Sequence, residues 1–203
     1  MRRCDYCGGE LPTRARRDRR TCSTRCRVAL HRANSLPTEL TSRARWVRHD
    51  RKRPITVHGA PASTTDPATW STYAQAKRSR VGDGLGYVLV AGDGVVCLDL
   101  DHVLDGGELV PEAEALLDRL PATYVEVSPS GTGLHVWGRG DLVIGRRTVV
   151  DGVRLEAYGD RRFITVTGRR WRGAPCRLAD LEIRSAQTPG FSRGVSASTP
   201  LEQ

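Results

Sequence analysis

The central part of the chain alternates short apolar runs with turn residues, which is the pattern of a strand-rich domain. The runs GYVLVA and VVCLDLD flank Gly92-Asp93-Gly94, and this arrangement predicts a hairpin. TYVEV and GLHVW flank the loop SPSGTG, and TVV and VRLEAY flank Asp151-Gly152, a strong two-residue turn signal. The run RFITVTG closes the series. Hairpin pairing would bring three strands together, at Val95–Asp101, Gly133–Trp137 and Val153–Tyr158.

Two helical patterns accompany the strands. The first begins at Asp66, an N-cap residue, and we expect it to run to Ser79 with Trp70, Tyr73 and Ala74 on its inner face. The second is the amphipathic run PEAEALLDRL, which has acidic residues in its first turn. Mixed hairpins and helices of this kind predict an α+β fold rather than a doubly wound sheet.

Two carboxylates, Asp99 and Asp101, end a hydrophobic run. Alternate side chains of a strand point the same way, so these two share one face while Leu98 and Leu100 face a core. Adjacent carboxylates repel each other unless a cation or a shared proton compensates them. A hard divalent cation such as Mg²⁺, held by carboxylates and substrate phosphates, is the natural compensation. The pattern therefore indicates phosphate chemistry.

Polar side chains also interrupt the two neighbouring runs. Glu156 shares a face with Arg154, and a glutamate in an apolar strand is expensive to bury without a partner. It is therefore either a third metal ligand or a surface residue paired with Arg154 or Arg161. His135 faces away from the core and is either a structural histidine or a phosphate contact. The SPSGTG loop before it offers hydroxyls and backbone N–H groups that suit phosphate oxygens.

The positive charge is concentrated at the N-terminus. Residues 1–53 hold 16 of the 32 Lys and Arg but only 5 of the 23 Asp and Glu. All the net positive charge therefore lies in the first quarter of the chain, as expected of a nucleic-acid-binding arm. An arginine-rich codon bias on a solvated surface is the alternative explanation.

Four of the six cysteines lie within the first 26 residues, as a CxxC pair and a CxxxC pair. Two such pairs, the second one opening a short helix, favour a tetrahedral Zn²⁺ site with four thiolate ligands, Cys4, Cys7, Cys22 and Cys26. The apolar content of this segment is too small to fold alone, so the metal would supply its folding free energy. Four unrelated reduced cysteines are the alternative.

These features divide the chain into four expected parts. They are a zinc finger (1–34), a basic connector (35–60) that contains the run RKRP, a catalytic domain (61–184) and a disordered tail rich in Ser, Pro and Gly (185–203). No run approaches the ~20 apolar residues of a membrane span, and the N-terminus has no apolar signal region. We therefore expect no membrane partner and a cytoplasmic protein.

The ordered set CLDLDHVLDGG, TYVEVSPSGTGLHVWGRG and RLEAYGDRRFITVTG resembles the bifunctional DNA primase/polymerase domains of phages and plasmids, within the archaeo-eukaryotic primase superfamily. The segments KRPITVHGAPASTTDPATWSTYAQA and GDGLGYVL are also similar, so the resemblance covers roughly residues 42–172. It implies an RRM-like catalytic half, a flanking α+β half and an active site in the cleft between them.

The resemblance also implies roles for individual residues. The family's metal-binding acids fall on Asp99, Asp101 and Glu156, and its second-motif histidine on His135. Its phosphate-facing turn and its arginine fall on four residues: Ser128, Ser130, Gly131 and Arg162. The implied reaction is template-directed nucleotidyl transfer from dNTPs or NTPs with two Mg²⁺ or Mn²⁺ ions, on single-stranded or primed DNA. A replicative helicase would be encoded separately.

Two other readings remain open. A metal-dependent nuclease can use the same acidic and histidine side chains, and a requirement for nucleoside triphosphates separates the two activities. A non-catalytic replication accessory protein would bind DNA through the finger and the connector. The presence of four costly polar groups on inner strands argues against that second reading.

Overall fold

The computed structural model describes residues 2–4, 7, 9–33, 35–142 and 145–182. Within these ranges the helices are α1 (Thr24–Ala33), α2 (Thr38–Thr41), α3 (Tyr73–Arg78) and α4 (Pro111–Asp118). The strands are β1 (Trp46–Asp50), β2 (Arg53–Ile55), β3 (Gly84–Leu89), β4 (Val95–Leu100), β5 (Leu104–Asp105), β6 (Glu108–Leu109), β7 (Val125–Val127), β8 (Leu134–Arg139), β9 (Arg146–Val150), β10 (Val153–Tyr158), β11 (Arg162–Val166) and β12 (Ala179–Asp180). The tail expected at 185–203 lies outside the described residues.

The strands form two main sheets. A four-stranded sheet has the order β11-β3-β1-β2, and a six-stranded sheet has the order β12-β8-β4-β10-β9 with β7 also paired to β8. Neighbours in both sheets are antiparallel, except for the parallel pair β12–β8. Together with the helices these sheets confirm the predicted α+β fold, and the three strands expected to assemble do so as β8, β4 and β10.

The two faces of β4 belong to different hydrophobic cores. Val96, Leu98 and Leu100 pack into a core that also contains residues of α4. Val95 and Cys97 point the other way, into a core that the six-stranded sheet shares with aromatic residues of β1 and β3. Asp99 continues this second row, so the alternation of the strand directs its carboxylate to the edge of the layer between the sheets.

The hairpin predicted at Gly92-Asp93-Gly94 is wrong. The strand before this turn, β3, pairs with β1 and β11, whereas the strand after it, β4, pairs with β8 and β10. Both strands are nearly continuously buried, so each is a central strand that needs two neighbours. The turn therefore carries the chain from one sheet to the other, and Asp93 is held there by Arg45 at 2.6 Å.

The helix predicted from Asp66 to Ser79 is interrupted. Asp66 caps a 3₁₀ turn over Pro67–Thr69, and α3 begins only after Thr72, which forms a capping box with Gln75. Between them Ser71 pairs with Trp46 of β1 through both backbone groups, and this pairing requires an extended chain. Ala74, expected on the inner face, is exposed.

The segment expected to be a basic connector, 35–60, contributes α2, β1 and β2. The two strands extend the four-stranded sheet from β3, and Trp46 of β1 is fully buried in the core between the sheets. Residues of this segment therefore belong to the same layered unit as the strands that follow.

Candidate active site

The predicted acidic and histidine side chains meet across three adjacent strands. On the central strand β4, Asp99 pairs directly with His135 of β8 on one side and with Glu156 of β10 on the other. Directly opposed side chains lie about 5 Å apart at their Cβ atoms, so this register places the three groups in one row. They lie at the open end of a layer whose interior is filled by Cys97, Trp137 and Tyr87.

Asp99 is a partly buried acid in the centre of this row. Its side chain is 26% exposed, and its Oδ1 lies 3.6 Å from Nε2 of His135. Burial raises the pKa of Asp99, and the negative charges of Asp101 and Glu156 raise it further, while His135 partly opposes them. Asp101 follows β4, is exposed, and donates its backbone N–H to the carbonyl of Arg154 at 3.3 Å. A cation would relieve this concentration of negative charge.

Glu156 has protein partners that the sequence did not suggest. Its carboxylate pairs with Arg147 of β9 at 2.5 Å and accepts a hydrogen bond from the hydroxyl of Tyr158, rather than pairing with Arg154 or Arg161. Among the described residues, the cysteines of the N-terminal segment are the one group of three or more side chains placed closely enough to hold a metal ion. The three carboxylates therefore do not converge that closely in this conformation.

His135 lies between two acids. Its Nδ1 is 3.4 Å from Oε1 of Glu126, a residue of β7 that we did not predict as part of the site. Glu126 is fully buried, and the VEV sequence of β7 was the available signal, because a charged side chain stands between two valines that pack in the α4 core. The same reasoning that singled out Glu156 applies to this glutamate.

The Ser/Gly loop is the β7–β8 connection, as predicted. Hydroxyls of Ser128 and Ser130 lie 3.0 Å apart, and the N–H of Gly131 donates to the carbonyl of Ser128 at 3.1 Å. Ser128 is buried, whereas Ser130 is exposed at the tip. Gly133 ends the loop where a Cβ would come within 2.6 Å of the carbonyl oxygen of Leu100, so only glycine lets the loop approach the end of β4.

Two cations reach this end of the layer from the four-stranded sheet. Arg162, at the start of β11, lies with its guanidinium 4.7 Å from the ring centre of Tyr158 and 3.4 Å from that residue's hydroxyl. Lys52 lies in the two-residue β1–β2 turn, in which it and Arg51 both have positive φ. The charge of Lys52 lowers the pKa of Asp99, though less than His135 does. The sequence had placed Lys52 in a connector.

The four cysteines converge as predicted. Their Sγ atoms all lie within 4.8 Å of one another, with Cys22 at 3.4 Å from Cys26 and 3.6 Å from Cys7. A tetrahedral zinc site requires sulfur atoms about 3.8 Å apart, given Zn–S distances near 2.3 Å, so the group fits this metal. The crowded thiols, Cys26 first, raise the pKa of Cys22 to about 12. A bound cation would reverse this preference for the protonated form.

A basic groove of about 1010 Å³ separates the cysteine segment from the layered unit. Its walls come from the loop between the two cysteine pairs, from the start of α1 and from residues that include Tyr73 and Lys77 of α3. The charged side chains that line it are one acid and six bases: Asp18, Arg14, Arg16, Arg19, Arg20, Arg27 and Lys77. Such a groove suits a polyanion.

Among the described residues, every helix is too short or too polar to cross a membrane. Residues 27–190 match the family described as "Bifunctional DNA primase/polymerase, N-terminal". The DNA primase-polymerase of Nitratiruptor phage NrS-1 is 39% identical over 147 residues, which cover 66% of this chain and 20% of that relative. The chain thus spans about a fifth of the length of the relative it matches.

Proposed function

We propose, on the premise that the chain belongs to the bifunctional DNA primase/polymerase N-terminal family, that it transfers nucleotides from nucleoside triphosphates to a strand growing on a DNA template. The observation that carries this proposal is the row formed by Asp99, His135 and Glu156 across three paired strands. The row supplies oxygen ligands for a cation, and Arg162 and Lys52 reach it from the other sheet to meet a polyphosphate; nucleotidyl transfer needs both.

The acids would hold Mg²⁺ or Mn²⁺. Carboxylate oxygens are the ligands such hard cations prefer, and the raised pKa of Asp99 marks a place where negative charge lacks compensation. Glu156 would exchange Arg147 for the cation. This exchange costs little, because the Arg147 side chain is 77% exposed and an exposed ion pair contributes about 0–1 kcal/mol. When bound, two such ions would activate the 3′-hydroxyl and stabilise the departing pyrophosphate.

The basic residues would bind and orient the triphosphate. His135 would present Nε2 to it from beside Asp99, and Arg162 would approach from the opposite sheet. The tip of the Ser/Gly loop would supply the hydroxyl of Ser130, and the N–H of Gly131 would exchange the carbonyl of Ser128 for a phosphate oxygen. Lys52 is a further candidate, because its charge acts on Asp99. These groups would fix the triphosphate in line with the attacking oxygen and offset developing charge.

The template would lie along the basic N-terminal part of the chain. A Zn²⁺ ion on Cys4, Cys7, Cys22 and Cys26 would hold the loop that forms one wall of the groove. Arg2 also braces this loop, because its guanidinium donates to the carbonyls of Arg16 and Arg17. The remaining arginines would contact phosphates and so give a strongly salt-dependent affinity for DNA.

The proposal is tested by incorporation of labelled dNTPs and NTPs on single-stranded DNA, primed and unprimed, with Mg²⁺ or Mn²⁺. Asp99→Ala and Asp101→Ala should abolish incorporation while the far-ultraviolet circular dichroism stays unchanged. Asp105→Ala is the matched control, because Asp105 is an exposed acid on the separate β5–β6 pair and should leave incorporation intact.

Three results would contradict the proposal. Normal incorporation by Asp99→Ala would show that Asp99 is not part of the active site. Metal-dependent cleavage of DNA without nucleoside triphosphates, and no incorporation, would indicate a nuclease. DNA binding without either activity would indicate a binding protein.

A further inference from the structure

Glu126 is a buried acid with a complete set of partners. It is 0% exposed, and its Oε2 accepts hydrogen bonds from the backbone N–H of Gly168 at 2.8 Å and from the hydroxyl of Tyr124 at 3.1 Å. Burial and the Glu126 carboxylate raise the pKa of Tyr124, so its hydroxyl keeps the proton that it donates. Isolated in an apolar interior, such a carboxylate would cost several kcal/mol, so these contacts must compensate its burial.

These two donors fix the carboxylate and leave the other oxygen facing the site. Oε1 lies 3.4 Å from Nδ1 of His135, which pairs with Glu126 across β7 and β8 and with Asp99 across β8 and β4. The imidazole therefore lies between the two acids, with Nδ1 toward Glu126 and Nε2 3.6 Å from Asp99. A carboxylate next to one ring nitrogen determines the tautomer and the orientation of the ring.

We propose that Glu126 is a positioning residue, which holds the His135 ring with Nδ1–H toward its Oε1 and so directs the Nε2–H of the imidazolium at a triphosphate oxygen. The proposal rests on the proposed function for the role of Nε2, but the orientation itself does not depend on that function. Without Oε1 the ring loses the nearer of the two acids that distinguish its flipped orientations, and Asp99 at 3.6 Å remains the other. The flip would exchange Nε2 for a carbon that cannot contact phosphate.

Glu126 also connects β7 to the chain that follows β11. The segment after β11 runs beside β7, with Val127 donating its N–H to the carbonyl of Arg169 at 2.9 Å and Trp171 donating to the carbonyl of Val125 at 2.8 Å. The contact of Gly168 with Glu126 lies at the start of this run. The carboxylate thus joins β7, β8 and the end of the strand that carries Arg162.

The first experiment compares Glu126→Ala and Glu126→Gln in nucleotide incorporation. Loss of the carboxylate behind a functional histidine typically reduces activity about 10- to 100-fold, and we expect a loss of that size in kcat/KM for Glu126→Ala. Glu126→Gln keeps an oxygen that can accept from Nδ1 and should recover part of the loss. Thr123→Val is the control, because Thr123 is also buried and its hydroxyl bonds to backbone groups of Ala179 and Trp137 rather than to His135. It should lower stability and leave kcat/KM within about twofold.

A double-mutant cycle separates positioning from a general structural role. If Glu126 acts through His135, adding Glu126→Ala to His135→Ala should lower kcat/KM by less than about twofold further. Full additivity of the two losses would overturn the proposal. Unchanged kcat/KM in Glu126→Ala would also overturn it.

Nitrogen NMR of ¹⁵N-histidine-labelled protein gives a readout that does not require activity. His135 should show a protonated Nδ1 in the wild-type protein, and this signature should change in Glu126→Ala and Glu126→Gln but not in Thr123→Val. An unchanged spectrum in the Glu126 variants would refute positioning, even if Glu126→Ala folds too poorly to assay. If the spectrum changes while Asp99→Ala retains full incorporation, the proposed function fails and the positioning stands.

Discussion

Replacing Asp99 by Asn should stabilise the metal-free protein and remove its activity. Asp99 lies directly opposite Glu156 and two residues before Asp101, and opposed like charges in a sheet cost roughly 0.2–1 kcal/mol each. The opposed Asp99–Glu156 pair, the nearby Asp101 and the burial of the carboxylate, partly offset by His135 at 3.6 Å, give a net cost of about 1 kcal/mol. Asp99→Asn keeps the shape of the side chain and removes the charge. We therefore expect the free energy of unfolding to rise by about 1 kcal/mol and Tm by about 2–4 °C.

The pH dependence follows from the raised pKa of Asp99. A carboxyl whose pKa is higher in the folded than in the unfolded protein binds its proton more tightly when folded, so stability is lost as the pH rises through the interval between the two values. The advantage of Asp99→Asn should therefore be largest near pH 7.5 and should shrink as the pH falls and the wild-type carboxyl takes up its proton. The difference in stability is measured by urea unfolding of both zinc-loaded proteins at several pH values, in buffer without EDTA or magnesium.

Magnesium should reverse the order. A cation that binds only the folded wild-type protein stabilises it by about 1.4 kcal/mol at ten times its Kd, which exceeds the expected gain of the variant. Asp105 is an exposed acid outside the site and serves as the control. Asp105→Asn should change neither the free energy of unfolding nor its increase with Mg²⁺ by more than a few tenths of a kcal/mol. Two results would contradict the described electrostatics of the site. One is an Asp99→Asn protein that is less stable than the wild type at pH 7.5 without metal. The other is an Asp99→Asn protein whose free energy of unfolding rises as much with Mg²⁺ as that of the wild type.

Three further changes test other parts of the molecule. Wild-type protein should contain about one zinc per chain and Cys22→Ser should lose it, measured by atomic emission; a full complement in the variant would contradict a four-thiolate site. Lys52→Gln should raise KM for the nucleotide roughly three- to fivefold with little change in kcat, whereas Arg53→Gln, its neighbour outside the turn, should not. The double variant Arg14→Ser/Arg16→Ser should weaken DNA binding and reduce, by up to about two, the slope of the logarithm of the binding constant against the logarithm of the salt concentration. An unchanged slope would exclude phosphate contacts at these two arginines.

The alternation along each strand was enough to predict the main row of the site. Asp99, His135 and Glu156 each interrupt an apolar run, and period-two alternation assigns all three to the side away from the α4 core. Turn signals then fixed two of the pairings, because SPSGTG and Asp151-Gly152 connect strands that do form hairpins. Local sequence determines such neighbours, since a hairpin needs only the turn and the two runs beside it.

Beyond the expected assembly of β4, β8 and β10, pairings between distant segments could not be obtained in this way. The Gly92-Asp93-Gly94 turn has the residues of a hairpin but changes sheets, and the difference lies in which strands cover β3 and β4 from far along the chain. The charge of Lys52 reaches Asp99 from the other sheet. Contacts of this kind depend on the packing of the two layers, which no local pattern encodes.

The placement of charge at the open end of the layer indicates what the site is complementary to. The six-stranded sheet contributes an acidic row around Asp99, while the four-stranded sheet and its turns contribute Lys52 and Arg162. Neither a free cation nor a free polyphosphate satisfies both: the cation leaves the bases unpaired, and the polyphosphate meets the repulsion of the acids. Under the proposed function, a nucleoside triphosphate that carries its divalent cation would satisfy both sets of charges together. Binding of the cation should therefore strengthen binding of the nucleotide, and the reverse. The wild-type protein should bind nucleotide more tightly with Mg²⁺ than in EDTA, and the ratio of the two affinities should fall to near one in Asp99→Asn.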